Sequence, residues 1–440
     1  MKKSRGKFRA AVLMGAAASV LVFASGAAAQ NQNSQGEGSQ GQNSNNSWPY
    51  ATTGRSPVLA VVGDVACQPD EDFVAGGGES AHETCGTPKA PYSSTSLFQS
   101  QEATANQIEA MKPDAVALVG DLQYQVGQYQ DFEKSFDLTY GAFKFLHRPA
   151  PGNHEFYDEH SETGVAGYGY FSYYNGFQLN PDGSIPMTTI PDPCPQGLAS
   201  ACNFPGLTAP IPQPVPRADG QAGHFELGAN GGLDGSGVGN GWYSYNLGGW
   251  HLISLNVECS TQPGGCSDTG AWFAAELAWL KKDLEENRSS CTLAYWHQPA
   301  FSAADSLAPE GTASLAFWQL LYENNADLVL NGHDHLYARY RPLDPSGNFD
   351  PRKGIREFIV GTGGETLDAV VASTAPGSDA GAIFNAANLE AATGNYWGVM
   401  SLRLDPNGYK WDFESALELP GAPAGTYSDK GVGVCHGSRR

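Results

Sequence analysis

The chain has 440 residues, 41% of them hydrophobic, and its excess of acidic over basic side chains gives a formal net charge of −21. This length allows a large hydrophobic core in one or two domains. The acidic surface repels nucleic acid phosphates, which excludes polyanions as expected partners. A small anionic substrate would need a strongly positive local site, such as a pair of bound cations.

Residues 1–29 have the three-part pattern of a secretory signal peptide. A basic start precedes an apolar run from Ala10 to Phe23, and small residues from Ala27 to Ala29 offer a cleavage site before Gln30. We expect an exported protein, extracellular or in the cell envelope, with no stable membrane span after cleavage. A retained N-terminal anchor is the alternative, but a spanning helix needs about 18 or more apolar residues.

The rest of the chain divides into three parts. Residues 30–54 are mostly Gln, Asn, Ser and Gly without apolar periodicity, which predicts a disordered linker. We expect the folded domain over residues 55–420 and a C-terminal tail over residues 421–440.

All eight cysteines follow the signal peptide, and an even number in an exported protein favours disulfides. A zinc–thiolate site is the competing interpretation, but no two cysteines have the C-x-x-C spacing. The pairs expected from proximity along the chain are Cys67–Cys85, Cys194–Cys202, Cys259–Cys266 and, by remainder, Cys291–Cys435.

The first folded elements predict a β-α-β unit. Val58–Val62 and Ala115–Val119 are continuous apolar runs, as expected for strands covered on both faces, and a helix over 96–112 joins them. Each strand is followed by Gly-Asp, so the unit places Asp64 and Asp121 at strand exits.

Two segments of different character follow. Aromatic residues at helical spacing over Phe132–Phe145 predict a packing helix, and residues 181–241 are rich in Pro and Gly. We expect the second segment to be a long insertion, part of it a lid. The later expected elements are two strands within 241–256, helices over 270–287 and 312–325, and strands over 292–296, 327–330, 357–360, 398–404 and 409–413.

Residue types that bind metals follow several of these elements. In open α/β sheets, ligands bind beyond the carboxyl ends of the strands, so distant residues can converge there. Carboxylates bridge cations, imidazoles suit zinc and iron, and an amide oxygen fills a remaining position. Two cations about 3.5–4 Å apart can hold a phosphoryl group for in-line displacement. The candidate residues are Asp64, Asp121, Asn153, His154, His297, His333 and His335.

The ordered motifs around these residues resemble those of calcineurin-like metallophosphoesterases. They are Gly63-Asp64, Gly120-Asp121-Leu122-Gln123-Tyr124, Gly152-Asn153-His154-Glu155, Tyr295-Trp296-His297 and Gly332-His333-Asp334-His335. The Asp121-x-x-Tyr124 spacing resembles the purple acid phosphatase branch, in which that tyrosine binds a ferric ion. The resemblance spans about residues 57–415 and implies an α/β fold, the four-layer α/β/β/α metallophosphatase sandwich.

The resemblance also implies the ligand sets of two metal ions, iron together with zinc, manganese or a second iron. One ion would be bound by Asp64, Asp121, Tyr124 and His335. The other would be bound by Asp121, Asn153, His297 and His333, with Asp121 bridging. His154 would contact the phosphate and assist the leaving group. The alternative roles are a hydrogen-bonded support for His154 and a core or supporting residue for Tyr124.

The chain departs from the family pattern at several points. Ala66 stands where the first motif usually has glycine, and Phe301–Ser306 lacks the histidine that purple acid phosphatases often carry there. We expect no plant-type N-terminal β-sandwich domain before the first strand, because only about 27 residues separate it from the expected cleavage site. Gly361–Gly364 is either an anion-binding loop or a tight turn, and Arg339 is either a phosphate contact or a structural ion pair.

The expected function is a secreted, dinuclear, metal-dependent phosphoesterase that acts on a small phosphate ester. A phosphomonoesterase of the acid phosphatase type, using a metal-bound hydroxide, is the first expectation. A phosphodiesterase using the same site is the alternative within enzymes. A non-catalytic exported protein that binds metal or phosphate is the alternative outside them.

Overall fold

A computed structural model describes residues 55–69, 85, 97–157, 166–189, 212–225, 240–262, 264–267, 270–304, 311–370 and 386–439. The predicted signal peptide, the predicted linker and the Cys194–Cys202 pair lie outside the described residues.

The first of two large sheets is built around a parallel core. Its strands are β1 (Val58–Val62), β2 (Ala115–Val119), β3 (His147–Ala150), β13 (Tyr396–Asp405), β14 (Gly408–Glu418) and β15 (Ser428–Val434). Their order is β15-β14-β13-β1-β2-β3, with β1, β2 and β3 parallel and the other three joined antiparallel. All of β2 is buried, because both faces of this sheet are covered at its centre.

The second sheet has seven strands and again a parallel centre. Its strands are β6 (Tyr243–Leu247), β7 (Trp250–Ser254), β8 (Cys291–Tyr295), β9 (Leu328–Asn331), β10 (Tyr337–Tyr340), β11 (Arg356–Val360) and β12 (Leu389–Thr393). The order is β12-β10-β11-β9-β8-β7-β6, in which β7, β8, β9 and β11 are parallel. Within the segment that we expect to be an insertion, β4 (Met187–Thr189) and β5 (Pro212–Pro214) form a separate two-stranded sheet.

Helices cover the outer faces of both sheets. Within the described residues, no helix is long and apolar enough to cross a membrane. They are α1 (Leu97–Met111), α2 (Tyr129–Asp131), α3 (Asp137–Tyr140), α4 (Asn153–Phe156), α5 (Tyr168–Asn175), α6 (Ala271–Glu286) and α7 (Gly311–Glu323). One apolar cluster joins the first sheet to α1 and α5, and a second joins the other sheet to α6 and α7. A third lies between the sheets. The four-layer α/β/β/α architecture is therefore confirmed.

The aromatic segment over 132–145 is not the single regular helix that its spacing predicts. After α2 come a wide helical turn at Phe132–Phe136, then α3, then a tight turn at Gly141–Leu146. The backbone leaves helical geometry at Phe143, where φ is −119° and ψ is 23°. Phe136 and Tyr140 are fully buried, with ring centroids 5.1 Å apart. Packing of the large aromatic rings thus overrides the regular helical repeat. The segment still has the packing role that its sequence predicts.

Three of the expected disulfides are present, Cys67–Cys85, Cys259–Cys266 and Cys291–Cys435. The Cys291–Cys435 disulfide links the segment that follows β15 of the first sheet to β8 of the second sheet. Part of the segment expected as a tail forms strand β15, which pairs with β14 over seven residues.

A partly buried ion pair also joins the two sheets at one edge. Asp429 of β15 accepts hydrogen bonds from Arg339 Nε (2.6 Å) and Nη2 (3.0 Å), which belong to β10. It also accepts from the Tyr337 hydroxyl (2.7 Å) and from Trp411 Nε1 (3.1 Å). Arg339 pairs with Glu390 as well. Its guanidinium is therefore held in structural ion pairs.

We predict that Asp429→Asn lowers the free energy of unfolding by about 1–3 kcal/mol, because one acceptor oxygen is replaced by a donor facing other donors. Urea denaturation measures the difference. Asp412→Asn is the matched control. Asp412 lies on β14, pairs with Lys430 and has a side chain that is 39% exposed. Loss of this ion pair should cost less than about 1 kcal/mol. Equal stability of the two variants would contradict a bridging role for Asp429.

Candidate metal centre

The loops that leave the parallel strands bring three predicted ligand residues around the hydroxyl of a fourth, Tyr124. This oxygen lies 3.1 Å from Asp64 Oδ1, 3.3 Å from Asp121 Oδ2 and 2.9 Å from His335 Nε2. His335 Nε2 is in turn 3.4 Å from Asp64 Oδ1. We call Asp64, Asp121, Tyr124 and His335 the first donor group.

A second donor group contains Asp121, Asn153, His297 and His333. His297 Nε2 lies 2.9 Å from Asp121 Oδ2, and His333 Nδ1 lies 3.2 Å from Asn153 Oδ1. One ligand atom from each of Asp121, His297 and His333 falls within 4.8 Å of the others. The structure therefore brings all seven predicted ligand residues together, with Asp121 common to both groups.

The two sheets contribute different residues to this centre. Asp64, Asp121 and Asn153 follow β1, β2 and β3 of the first sheet. His297 and His333 follow β8 and β9 of the second sheet. The centre thus lies across the sandwich, where the carboxyl ends of both parallel cores meet.

The backbone is strained where these side chains leave their strands. Asp64, Asp121 and His333 have φ values of 59°, 49° and 70°, in the left-handed region that side chains other than glycine seldom adopt. Such strain persists only where the surroundings impose it, and it is concentrated at functional sites. Three sharp turns thus point donor side chains into one volume.

Two glycines allow the loops to approach one another. A Cβ atom on Gly120, where φ is 90°, would overlap the ring of His297. A Cβ atom on Gly332 would lie 2.5 Å from Asp64 Oδ2. Both positions therefore require glycine, which explains why each motif carries it directly before a ligand residue.

The buried carboxyl group of Glu155 links the loop that follows β2 to the loop that follows β3. Its Oε1 accepts hydrogen bonds from the backbone amides of Leu122 (2.8 Å) and Gln123 (3.0 Å), and its Oε2 accepts from Gly152 (2.8 Å). Burial and the charge of Asp121 raise the pKa of Glu155 to about 8, whereas the amide donors oppose that shift. No role was predicted for Glu155, although its place in the Gly-Asn-His-Glu motif is a signal that marks it.

Backbone carbonyl oxygens fix the orientation of the imidazoles. His297 Nδ1 lies 2.9 Å from Val119 O, and His335 Nδ1 lies 2.7 Å from Thr366 O. A carbonyl only accepts hydrogen bonds, so Nδ1 carries the proton in both rings. In the neutral form of each ring, the lone pair of Nε2 then faces the centre, which is the tautomer that binds a metal.

The pKa values of the buried groups move in opposite directions. Burial raises the pKa of Asp64, although neighbouring histidines counteract it. Burial would also raise the pKa of Asp121, but the charge of His297 helps to hold it below its usual range. Burial would lower the pKa of His297, but Asp121 raises it to about 10, while burial and His297 lower that of His333 to about 3. A cation would favour ionised carboxylates and neutral imidazoles at once.

The donor set fits a divalent or trivalent cation. His297 Nε2 is fully buried and, among the described residues, makes no hydrogen bond, although Asp121 Oδ2 is 2.9 Å away. The two atoms are thus close but unsuitably oriented for a shared proton. Oxygen and imidazole donors of this mixture match iron, zinc and manganese.

His154 lies beside the donor groups and not within them. Its Nδ1 is 2.6 Å from Gln125 O, and its Nε2 is 3.8 Å from Asp121 Oδ2. Its ring lies 4.2 Å from that of Tyr124. This position at the rim suits contact with a substrate.

The Gly361–Gly364 loop is engaged in packing. The Gly361 amide donates to Leu336 O (3.1 Å) and the Gly363 amide donates to Gly63 O (2.9 Å). These amides are therefore not available to an anion, which supports the interpretation of the loop as a tight turn.

Two sheets with a shared cluster of carboxylate, imidazole, phenol and amide donors define a metallophosphoesterase. The chain belongs to the calcineurin-like phosphoesterase family, whose pattern matches residues 58–337.

Purple acid phosphatases are among the relatives that the chain matches, in agreement with the predicted branch. Purple acid phosphatase 15 of Arabidopsis thaliana is 33% identical over 115 residues, which are 24% of this chain and 20% of that protein. An uncharacterized protein of Mycobacterium tuberculosis is 32% identical over 124 residues, 26% of this chain and 23% of its own. The match thus spans about a fifth to a quarter of these relatives' length.

Solved structures are similar at lower identity. Purple acid phosphatase PPD1 from yellow lupin seeds has a TM-score of 0.46 at 15% identity, covering 84% of this chain and 53% of its own. A structure of PhoD has a TM-score of 0.45 at 11% identity, covering 87% of this chain and 70% of its own.

We predict that Glu155→Gln lowers the free energy of unfolding by about 1–3 kcal/mol, because an amide group would face a backbone N–H donor. Denaturant unfolding measures the change. Glu102→Gln, on the exposed side of α1, is the control and should change stability by less than about 0.5 kcal/mol. If both variants matched the unaltered chain, Glu155 would not anchor the loops.

Proposed function

We propose that the chain is an exported, metal-dependent phosphomonoesterase with a dinuclear centre. The observation that carries the proposal is the position of Asp121, which is shared by two donor groups. Family membership supports hydrolysis of phosphoric esters. The three disulfides among the described residues are compatible with export.

Each donor group holds one cation in this proposal. Asp64, Asp121, Tyr124 and His335 bind the first, and Asp121, Asn153, His297 and His333 bind the second. When bound, two cations supply a nucleophile from water at neutral pH and neutralise charge on the phosphoryl oxygens. Their charge also explains how a protein of net charge −21 attracts an anionic ester.

His154 contacts the substrate in this proposal. Its Nδ1 is engaged with Gln125 O, so Nε2 is the atom that faces the centre. In the imidazolium form, in which Nε2 also carries a proton, it donates a hydrogen bond to a phosphoryl or leaving-group oxygen. Phe301–Ala304, the described part of the segment where related enzymes carry a further histidine, is buried. Leaving-group assistance therefore falls to His154.

A phosphomonoester is the proposed substrate, and a phosphodiester is the alternative on the same residues. The purified protein, assayed on p-nitrophenyl phosphate and on bis(p-nitrophenyl) phosphate, distinguishes them. We expect faster turnover of the monoester. Turnover of the diester alone would reject the monoesterase assignment, and absence of turnover on either would favour a binding protein.

We predict that Asp121→Asn lowers kcat/KM on p-nitrophenyl phosphate by more than about 100-fold, because the amide removes the charge that both cations share. Steady-state assays together with metal analysis measure both effects. Asp412→Asn, on the outer face of the first sheet, should keep full activity. Full activity of Asp121→Asn would make the metal mechanism wrong.

We predict that the protein contains iron and shows a visible charge-transfer band that Tyr124→Phe removes, because a phenolate bound to ferric iron gives such a band and a phenylalanine cannot supply the phenolate. Absorption spectra and elemental analysis of the two proteins test the assignment. A colourless protein with two zinc or two manganese ions would contradict it, and Tyr124 would then act as a hydrogen-bonding neighbour.

A further inference from the structure

We propose that Tyr157 and Gln298 are positioning residues that fix the side-chain amide of Asn153, so that its oxygen faces the second cation. This inference rests on the proposed function, because it concerns how one member of the second donor group is oriented. Neither residue belongs to either donor group.

Hydrogen bonds hold both ends of the Asn153 amide. Its Nδ2 donates to the Tyr157 hydroxyl at 2.6 Å, and its Oδ1 accepts from Gln298 Nε2 at 3.3 Å. His333 Nδ1, the neighbouring donor of the second group, is 3.2 Å from the same oxygen. The amide is therefore clamped with its oxygen on the side of the centre.

Such a clamp matters because an asparagine side chain has two ends of nearly equal size. Turning the amide by 180° would replace a lone-pair donor by an NH₂ group, which cannot bind a cation. An unconstrained amide would sample both orientations and lose rotational freedom when the cation binds. A clamp that sets the orientation beforehand removes this cost, as neighbouring hydrogen bonds do for other metal ligands.

Both clamping residues are themselves held in place. Gln298 is 1% exposed, and its backbone oxygen accepts from Trp296 Nε1 (2.7 Å) and from Ser314 Oγ (2.8 Å). Tyr157 follows α4 directly, four residues after Asn153, so the two side chains share one face of the turn. Its ring also lies 4.9 Å from that of His154.

The Tyr157 hydroxyl can be removed while its ring contact with His154 is kept. In Tyr157→Phe, Asn153 Nδ2 loses its acceptor and the amide can turn. Gln298→Met removes the donor at the other end with little change in volume. Both substitutions leave the first donor group untouched, so they should act on one cation and not on the other.

The test removes metal from the purified chain and titrates it with Zn²⁺, following bound metal by equilibrium dialysis and elemental analysis. The unaltered chain should bind two ions. In Tyr157→Phe and in Gln298→Met, affinity for one ion should fall by roughly 10–100-fold while the other stays unchanged. Activity on p-nitrophenyl phosphate should then recover at high Zn²⁺ concentration.

Tyr322→Phe is the matched control, since the Tyr322 hydroxyl donates to Asp350 at 2.9 Å outside the centre. It should bind both ions as the unaltered chain does. Circular dichroism melting, together with the unchanged affinity for the first ion, shows whether the variants are folded.

Two results would overturn the proposal, and they differ in what else they reject. Suppose that the unaltered chain binds two ions and hydrolyses the ester, but the affinity of both variants for the second ion stays within about twofold of the unaltered value. The positioning role alone is then wrong. If the unaltered chain binds fewer than two ions of any kind, whether iron, zinc or manganese, the proposed function is wrong and the positioning role with it. If the substitutions lowered the affinity for both ions equally, a role specific to Asn153 would likewise be rejected.

Discussion

The structure depends on the burial of two carboxylates, Asp64 and Asp121, at the ends of adjacent parallel strands. Removing such charges from water is costly unless they are paired and hydrogen-bonded. Backbone amides supply part of the compensation, because His333 N lies 3.1 Å from Asp64 Oδ2 and His154 N lies 2.9 Å from Asp121 Oδ1. Imidazoles from the opposite sheet supply another part. The positive φ angles, the glycines and the Glu155 anchor all follow from bringing these groups close together.

The relation between the sheets is therefore as important as the fold of each one. Four donors follow strands of the first sheet, and the loops after two strands of the second provide the histidines, so a small sliding of one sheet would separate the donor groups. The apolar layer between the sheets, the Asp429–Arg339 ion pair and the Cys291–Cys435 disulfide all resist that sliding. Structural contacts far from the centre thus help to maintain its geometry.

Much of this arrangement is predictable from the sequence, because buried parallel strands are continuous apolar runs and the donors follow them directly. The β-α-β unit around Asp64 and Asp121 appears as its pattern predicts. Other features leave a weaker signal. Strand β15 carries Gly431 and Gly433 where the rings of Trp411 and Tyr409 pack against it, so its pattern is not that of an ordinary strand. The contact of Gln298 with Asn153 joins residues 145 positions apart, and only the folded chain reveals it.

The disulfide between Cys291 and Cys435 has a consequence for the order in which the fold is completed. It joins residues 144 positions apart, and the second of them follows β15, the outermost strand of the first sheet. Synthesis proceeds from the N-terminus, so the donors are made before the strand and the cysteine that lock the sheets together. Closing so long a loop removes more freedom from the unfolded chain than either short-range disulfide does. A segment near the C-terminal side of the fold thus secures residues that are synthesised long before it.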